Sequence, residues 1–92
     1  MPACYRFLVR GRVQGVGFRV SAVREAERRG LGGWVCNRED GAVEGLAQGD
    51  ERELAGFRDW LAQGPPLAQV ESVQWNAEPP PAPVTAGFAV RR

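Results

Sequence analysis

Residues 4–13 alternate along the chain with the period of a half-buried β-strand. One face carries Tyr5, Phe7, Val9 and Gly11, and the other carries Cys4, Arg6, Leu8 and Arg10. After a glycine-bearing loop, apolar residues recur at helical spacing at Phe18, Ala22, Val23 and Ala26. We therefore predict a strand, a loop and a helix that ends at Gly30, where Leu31 completes the contact of a C-terminal cap.

The middle of the chain predicts a hairpin followed by a second helix. Residues 31–38 and 42–48 flank Glu39-Asp40-Gly41, and an Asp-Gly pair supplies the positive φ angles of a tight turn. The segment Asp50-x-x-Glu53 resembles a capping box. The helix that follows places Leu54, Phe57 and Leu61 on one face and stops at Gly64-Pro65-Pro66.

The last third of the chain predicts two strands joined by a loop. Residues 69–75 form the fourth strand, 79–83 a proline-rich loop, and 87–91 a short strand with Phe88 and Val90 inward. The order βαββαβ indicates a ferredoxin-like, split βαβ fold of the α+β class, with sheet order 4-1-3-2, two helices on one face and a short extra C-terminal strand. We expect one domain over residues 1–92.

Composition narrows the chemistry that such a domain can perform. The chain has no histidine and no lysine, so it lacks the commonest general base, the commonest metal ligand and the amine of Schiff-base enzymes. Residues 1–38 carry a net charge of +6 and residues 39–92 carry −5. We expect a bound anion to lie in the first half.

The two cysteines predict neither a zinc site nor a disulfide. Cys4 and Cys36 lack metal-ligand spacing and belong to predicted strands that are not neighbours. No apolar run approaches the ~20 residues that span a bilayer, and residues 1–3 lead straight into the first strand rather than into a signal peptide. These observations favour a cytoplasmic protein without a membrane partner.

The segment Gly11 to Arg19 is the strongest candidate for a binding site. Its glycines allow a loop whose N–H groups point inward at a helix N-terminus, and Arg19 can grip two phosphate oxygens. The dinucleotide fingerprint fails because Val20 replaces its third glycine, and the P-loop fails because lysine is absent. Cys4 and Arg10 have cysteine-phosphatase spacing, but no glycine lies between them, so we treat the match as chance.

Several segments together resemble the acylphosphatase family over nearly the whole chain. They are Gly11-Arg12-Val13-Gln14-Gly15-Val16-Gly17-Phe18-Arg19, Gly30-Leu31-x-Gly33-Trp34-Val35-x-Asn37 and Asp40-Gly41-x-Val43-Glu44, followed by Gln48-Gly49-Asp50 and Phe57-x-x-Trp60-Leu61. The resemblance implies hydrolysis of acyl phosphates, a small-molecule substrate, with no metal, no cofactor and no covalent intermediate.

The resemblance also implies roles for individual residues. Arg19 matches the phosphate-binding arginine and Asn37 the asparagine that orients water. The phosphate-binding loop matches Gln14, Gly15, Val16, Gly17, Phe18 and Arg19. A carboxylate leaving group, with a pKa of about 4, needs no proton from the enzyme, which agrees with the missing histidine.

The chain departs from the common family pattern in three places. Val20-Ser21 stands where aromatic residues are frequent, Cys36 where a basic residue is frequent, and Arg92 where tyrosine is frequent. These positions surround the pair Arg19 and Asn37 and could alter rate or substrate preference.

Two other functions compete with hydrolysis. The ferredoxin-like fold also serves RNA binding, but the outward positions of strands one and three carry no aromatic platform: they are Cys4, Arg6, Leu8, Arg10, Glu44, Leu46 and Gln48. A non-catalytic acylphosphatase-like domain, as found at the start of larger maturation proteins, would have a similar sequence. The length of the chain and its own Met1 favour the free enzyme, and we expect a monomer that does not bind nucleic acid.

Overall fold

The computed structural model describes residues 2–80 and 87–91, which form five strands and two helices. In chain order they are β1 (Pro2–Arg12), α1 (Phe18–Arg28), β2 (Gly32–Asn37), β3 (Val43–Asp50), α2 (Glu51–Gln63), β4 (Gln69–Ala77) and β5 (Phe88–Val90). The sheet order is β4-β1-β3-β2-β5. The predicted ferredoxin-like fold, its strand order and its extra fifth strand are therefore confirmed.

The central strand β3 lies between β1 and β2 and runs antiparallel to both. As a consequence, β1 and β2 are parallel, and their C-terminal ends meet at one edge of the sheet. The strand β4 pairs antiparallel with β1, and a bulge between Arg10 and Gly11 shifts their register. The strand β5 pairs in parallel with β2. This arrangement brings the loop after β1 and the end of β2 to the same side of the molecule.

Local signals define where both helices begin and end. At the end of α1, the Leu31 N–H donates to Ala26 O and the Gly30 N–H to Glu27 O, a Schellman motif with Gly30 at φ 70°. At the start of α2, Asp50 accepts a 2.8 Å hydrogen bond from the Arg52 N–H. The predicted C-terminal cap of α1 and the predicted start of α2 are confirmed.

The hydrophobic core lies between the helices and one face of the sheet. It contains Phe7, Val9, Val13, Phe18, Ala22, Ala26, Leu31, Val35, Val43, Ala47, Leu54, Phe57, Leu61 and Phe88. Phe57 is its centre, because its ring contacts the rings of Phe7 and Phe88 and is stacked with Trp60. The side chain of Arg29 also joins the two helices, through Glu25 of α1 and Glu53 of α2.

The opposite face of the sheet is more covered than the strand pattern predicts. Cys4, Leu46 and Gln48, expected to point outward, are all buried. Trp34 of β2 lies on this face, where the guanidinium groups of Arg6 and Arg91 approach its ring. Arg6 also forms ion pairs with Glu44 and Glu78, so this face carries both ion pairs and cation–π contacts.

Some predicted details are wrong at the ends of elements. The predicted hairpin connection of Glu39-Asp40-Gly41 is flanked by Arg38 and Ala42, since the Arg38 N–H donates to Ala42 O across it. Of the Asp-Gly pair, however, only Gly41 has a positive φ, 93°, so the predicted positive φ at Asp40 is wrong. Val90 was expected inward but is 43% exposed, because β5 is a three-residue edge strand with a neighbour on one side only. Residues 81–83 of the predicted proline-rich loop, residues 84–86 and Arg92 lie outside the described residues. Within the described ranges, no helix is long and apolar enough to cross a membrane.

Candidate active site

The loop between β1 and α1 depends on two glycines for its conformation. Gly15 and Gly17 have φ angles of 76° and 77°, in the left-handed region that L side chains avoid. A Cβ atom at either position would meet no atom within 4 Å. Glycine is therefore required at both positions for backbone geometry rather than for space.

The N-terminus of α1 is suited to an anion, in contrast to that of α2. Gly17 occupies the N-cap position of α1, no side chain caps the helix, and its first turn contains no acidic residue. The N-terminus of α2 has a capping carboxylate from Asp50 and two further acids, Glu51 and Glu53. Of the two helices that the structure describes, α1 therefore offers the N-terminus that is neither capped by a carboxylate nor surrounded by acidic side chains.

A cavity of about 100 Å³ lies at this helix end. It is lined by Val13, Gly15, Gly17, Phe18, Arg19, Val20 and Asn37. Arg19 is half-buried, and within residues 2–80 and 87–91 no carboxylate lies within ion-pair distance of it. The cavity therefore combines an unpaired guanidinium, a helix N-terminus and the side-chain amide of Asn37.

The side chain of Gln14 ties the loop to the hairpin that follows Asn37. Its Nε2 donates to Arg38 O at 2.7 Å and to Ala42 O at 3.0 Å, at the two ends of the hairpin loop. Arg38 is the residue directly after Asn37. Gln14 consequently couples the position of Asn37 to the loop that leads into α1 and Arg19.

The hairpin loop is itself held by Asp40. Its Oδ1 accepts a hydrogen bond from the Ala42 N–H at 3.1 Å, and its carboxylate also pairs with Arg38 and Arg10. The Ala42 N–H, followed by the two guanidinium groups, holds the pKa of Asp40 below its usual value. The loop that follows Asn37 is therefore stabilised by an ionised carboxylate.

Cys4 lies outside the cavity and lacks the environment of a nucleophilic thiol. Cys4 is buried near the start of β1, at the end of the strand away from the cavity, and burial together with Glu78 raises the pKa of its thiol. A nucleophilic cysteine needs the opposite shift. In the part of the chain that the structure describes, no three His, Cys, Asp or Glu side chains converge as metal ligands.

The predicted site residues divide into two groups. Gly15, Gly17, Phe18, Arg19 and Asn37 line the cavity, so residues far apart in sequence meet there. Gln14 and Val16 do not line it, and the side chain of Gln14 is turned to the hairpin. Of the other two lining residues, Val13 was not proposed from the sequence, whereas Val20 was named there as a departure from the common family pattern. Val13 continues the alternation of β1, a signal that could have placed it at the loop entrance.

Comparisons with known proteins identify the family to which the chain is similar. The acylphosphatase family model matches residues 5–90. An acylphosphatase from Pseudomonas paraeruginosa is 51% identical over 89 residues, covering 97% of this chain and 96% of the relative. The crystal structure of acylphosphatase from Bacillus subtilis has a TM-score of 0.92 at 39% identity and covers 100% of both chains. T. kodakarensis HypF matches with a TM-score of 0.83 and 32% identity, covering 100% of this chain but 12% of HypF.

Proposed function

This chain belongs to the acylphosphatase family, and we propose that it hydrolyses the carboxyl–phosphate bond of acyl phosphates in the cavity at the start of α1. The products are a carboxylate and inorganic phosphate. The observation that carries the proposal is the meeting of Arg19, Asn37 and an uncapped helix N-terminus around one small cavity.

Phosphate binding is assigned to Arg19 and to the backbone of the loop from Gln14 to Phe18. The guanidinium can contact two phosphate oxygens at once, and the loop N–H groups can contact the others. The absence of acidic residues from the first turn of α1 supports this assignment, because a nearby carboxylate would repel the phosphate.

Water activation is assigned to Asn37. Its amide oxygen accepts a hydrogen bond from water and orients one lone pair toward phosphorus. The water oxygen forms the new bond to phosphorus while the bond from phosphorus to the carboxyl oxygen breaks, and its electron pair leaves with the carboxylate. The proton of the water passes to a phosphate oxygen.

Charge stabilisation is the main task of the protein in this reaction. Phosphoryl transfer with a loose transition state needs alignment and charge compensation on the equatorial oxygens. The leaving carboxylate is stable without protonation. We therefore expect a pH–rate profile that requires no enzyme group with a pKa near neutrality, and a dependence on such a group would contradict the proton transfer to phosphate.

The test is hydrolysis of acetyl phosphate by the purified protein and by Arg19→Gln and Asn37→Ala. Each change should lower kcat/KM by about 10²–10³-fold, the range seen when one transition-state donor is removed. Arg19→Gln should also weaken inhibition by inorganic phosphate, whereas Asn37→Ala should act mainly on kcat. Arg24→Gln and Asn76→Ala, exposed residues outside the cavity, are the matched controls. Wild-type rates in both site variants would refute the assignment.

We further propose a cytoplasmic monomer that does not bind nucleic acid. Both cysteines are free thiols, as expected in a reducing compartment. Arg6 and Arg91 occupy the ring of Trp34 on the outer sheet face, so this aromatic is not open for base stacking. Size-exclusion chromatography with light scattering and a titration with single-stranded RNA test these two points.

A further inference from the structure

Val20 is an apolar side chain that the core does not use. It is 54% exposed, and it is absent from the partly buried hydrophobic residues that pack against the core, although its neighbours Val16 and Val23 are among them. It occupies the third position of α1, where an acidic residue would favour the helix more. Folding stability therefore gives no reason for a valine at this position.

Among the side chains that line the cavity, Val20 differs from the others in being both apolar and exposed. Arg19 and Asn37 are polar, the two glycines have no side chain, and Val13 and Phe18 are 1% and 2% exposed because they belong to the core. This leaves Val20 as the exposed apolar surface among the lining residues. Because valine in a helix has one strongly preferred rotamer, that surface is stiff.

The size of the cavity leaves part of the substrate outside it. Its volume of about 100 Å³ is well below the ~300–1,000 Å³ of pockets that enclose a whole small molecule. Under the proposed function, the phosphate group binds beside Arg19 and the loop. The acyl group would then extend past the cavity wall, to which the exposed Val20 belongs.

We propose that Val20 is a specificity-determining contact for the acyl group and favours acyl phosphates whose acyl part is an apolar chain or ring. The inference rests on the proposed function of the same cavity. A small acyl group such as acetyl offers little surface to Val20, whereas a phenyl ring can cover its exposed methyl groups.

The test compares kcat/KM for benzoyl phosphate and acetyl phosphate in the wild type, Val20→Ala and Val20→Leu. The ratio of the two values cancels any general effect of the change on folding or on the reacting groups. Val20→Ala should lower the benzoyl-to-acetyl ratio by about fourfold or more, since burial of one methylene-sized group is worth about fourfold. Val20→Leu should keep or raise the ratio.

The control is Leu67→Ala, which removes an apolar side chain that is 75% exposed and does not line the cavity. It should leave the ratio at the wild-type value. A ratio that Val20→Ala leaves unchanged would overturn the inference. An unchanged ratio, together with a strong loss of hydrolysis in Arg19→Gln, would refute the role of Val20 and leave the proposed function intact. Full activity in Arg19→Gln would refute the proposed function and this inference together.

Discussion

Replacing Gln14 by alanine should loosen the connection between the loop before α1 and the hairpin after Asn37. The side chains of Arg19 and Asn37 themselves are unchanged in this variant. In the wild type, the Gln14 amide donates to Arg38 O and Ala42 O at 2.7 and 3.0 Å. These two bonds join the loop after β1 to the hairpin after β2. Without them, the position of Asn37 relative to Arg19 depends only on the strands.

The expected magnitude follows from the two bonds. A net contribution of about 0.5–1.5 kcal/mol for each hydrogen bond gives a loss of about 1–3 kcal/mol in the free energy of unfolding. The effect on catalysis should be of comparable size, because a displacement of about 1 Å in a reacting group can cost up to about 10²-fold in rate, which is about 2.7 kcal/mol. We expect Gln14→Ala to lower kcat/KM for acetyl phosphate by about 10- to 100-fold.

Gln14→Glu adds a pH-dependent version of the same perturbation. An ionised carboxylate cannot donate to the two carbonyl oxygens, whereas the protonated acid can donate to one. The folded state therefore favours the protonated form and raises the pKa of the introduced carboxyl above its unfolded value of about 4.3. The stabilising bond is present at low pH and is lost as the pH rises through the folded-state pKa.

Urea unfolding between pH 4 and pH 7 measures this difference. Gln74→Glu, at an exposed position of β4, is the matched control for the added carboxyl group. The stability of Gln14→Glu relative to this control should fall as the pH rises. The reasoning fails if the two variants keep the same difference at every pH, or if Gln14→Ala retains wild-type stability and rate.

Asp40→Asn should reduce the loss of stability on acidification. The folded-state pKa of Asp40 is lowered, so the stability that its carboxylate contributes is present at neutral pH and is lost as the pH falls through that pKa. Urea unfolding midpoints at pH 7 and pH 3 measure this loss. An equal change of the urea midpoint between pH 7 and pH 3 in the wild type and in Asp40→Asn would exclude a contribution of the Asp40 carboxylate to stability. Gly17→Ala should cost about 1–2 kcal/mol from left-handed strain alone, because its Cβ has free space. Gly45→Ala should destabilise by about 1–3 kcal/mol through overpacking against the Phe7 ring and the Trp34 carbonyl oxygen. It should impair folding without changing the KM of the folded fraction. Thermal unfolding and inhibition of hydrolysis by phosphate, measured for Gly17→Ala and Gly45→Ala, separate an effect on the loop from an effect on the core. The same change in both measurements for both variants would contradict this distinction.

Much of the fold could be predicted because its signals are local. The alternation in β1, the helical spacing after Phe18 and the caps at Gly30 and Asp50 each depend on residues a few positions apart. The same holds for the left-handed glycines of the loop, whose need for positive φ is a property of a short segment. Given these elements, the right-handed connection of β1 to β2 brings the loop and Asn37 to one edge.

The remaining features depend on contacts between distant segments. The two carbonyl partners of Gln14 are 24 and 28 positions away, so only the approach of the hairpin to the loop reveals its role. The burial of Leu46 and the exposure of Val90 likewise depend on what covers each face at that point of the sheet. A strand pattern assigns a residue to a face but does not show how well that face is covered.

The position of β3 between β1 and β2 has a kinetic consequence. The loop that leads from β1 into α1 and Arg19, and the strand that ends at Asn37, come into register only after β3 has paired with both neighbouring strands. Such non-local pairings close long stretches of chain and are slow steps in folding. Recovery of hydrolysis during refolding should therefore coincide with completion of the central sheet, and it should lag behind the formation of α1 and α2. The rate at which hydrolysis returns during refolding would therefore measure the rate of the last folding step.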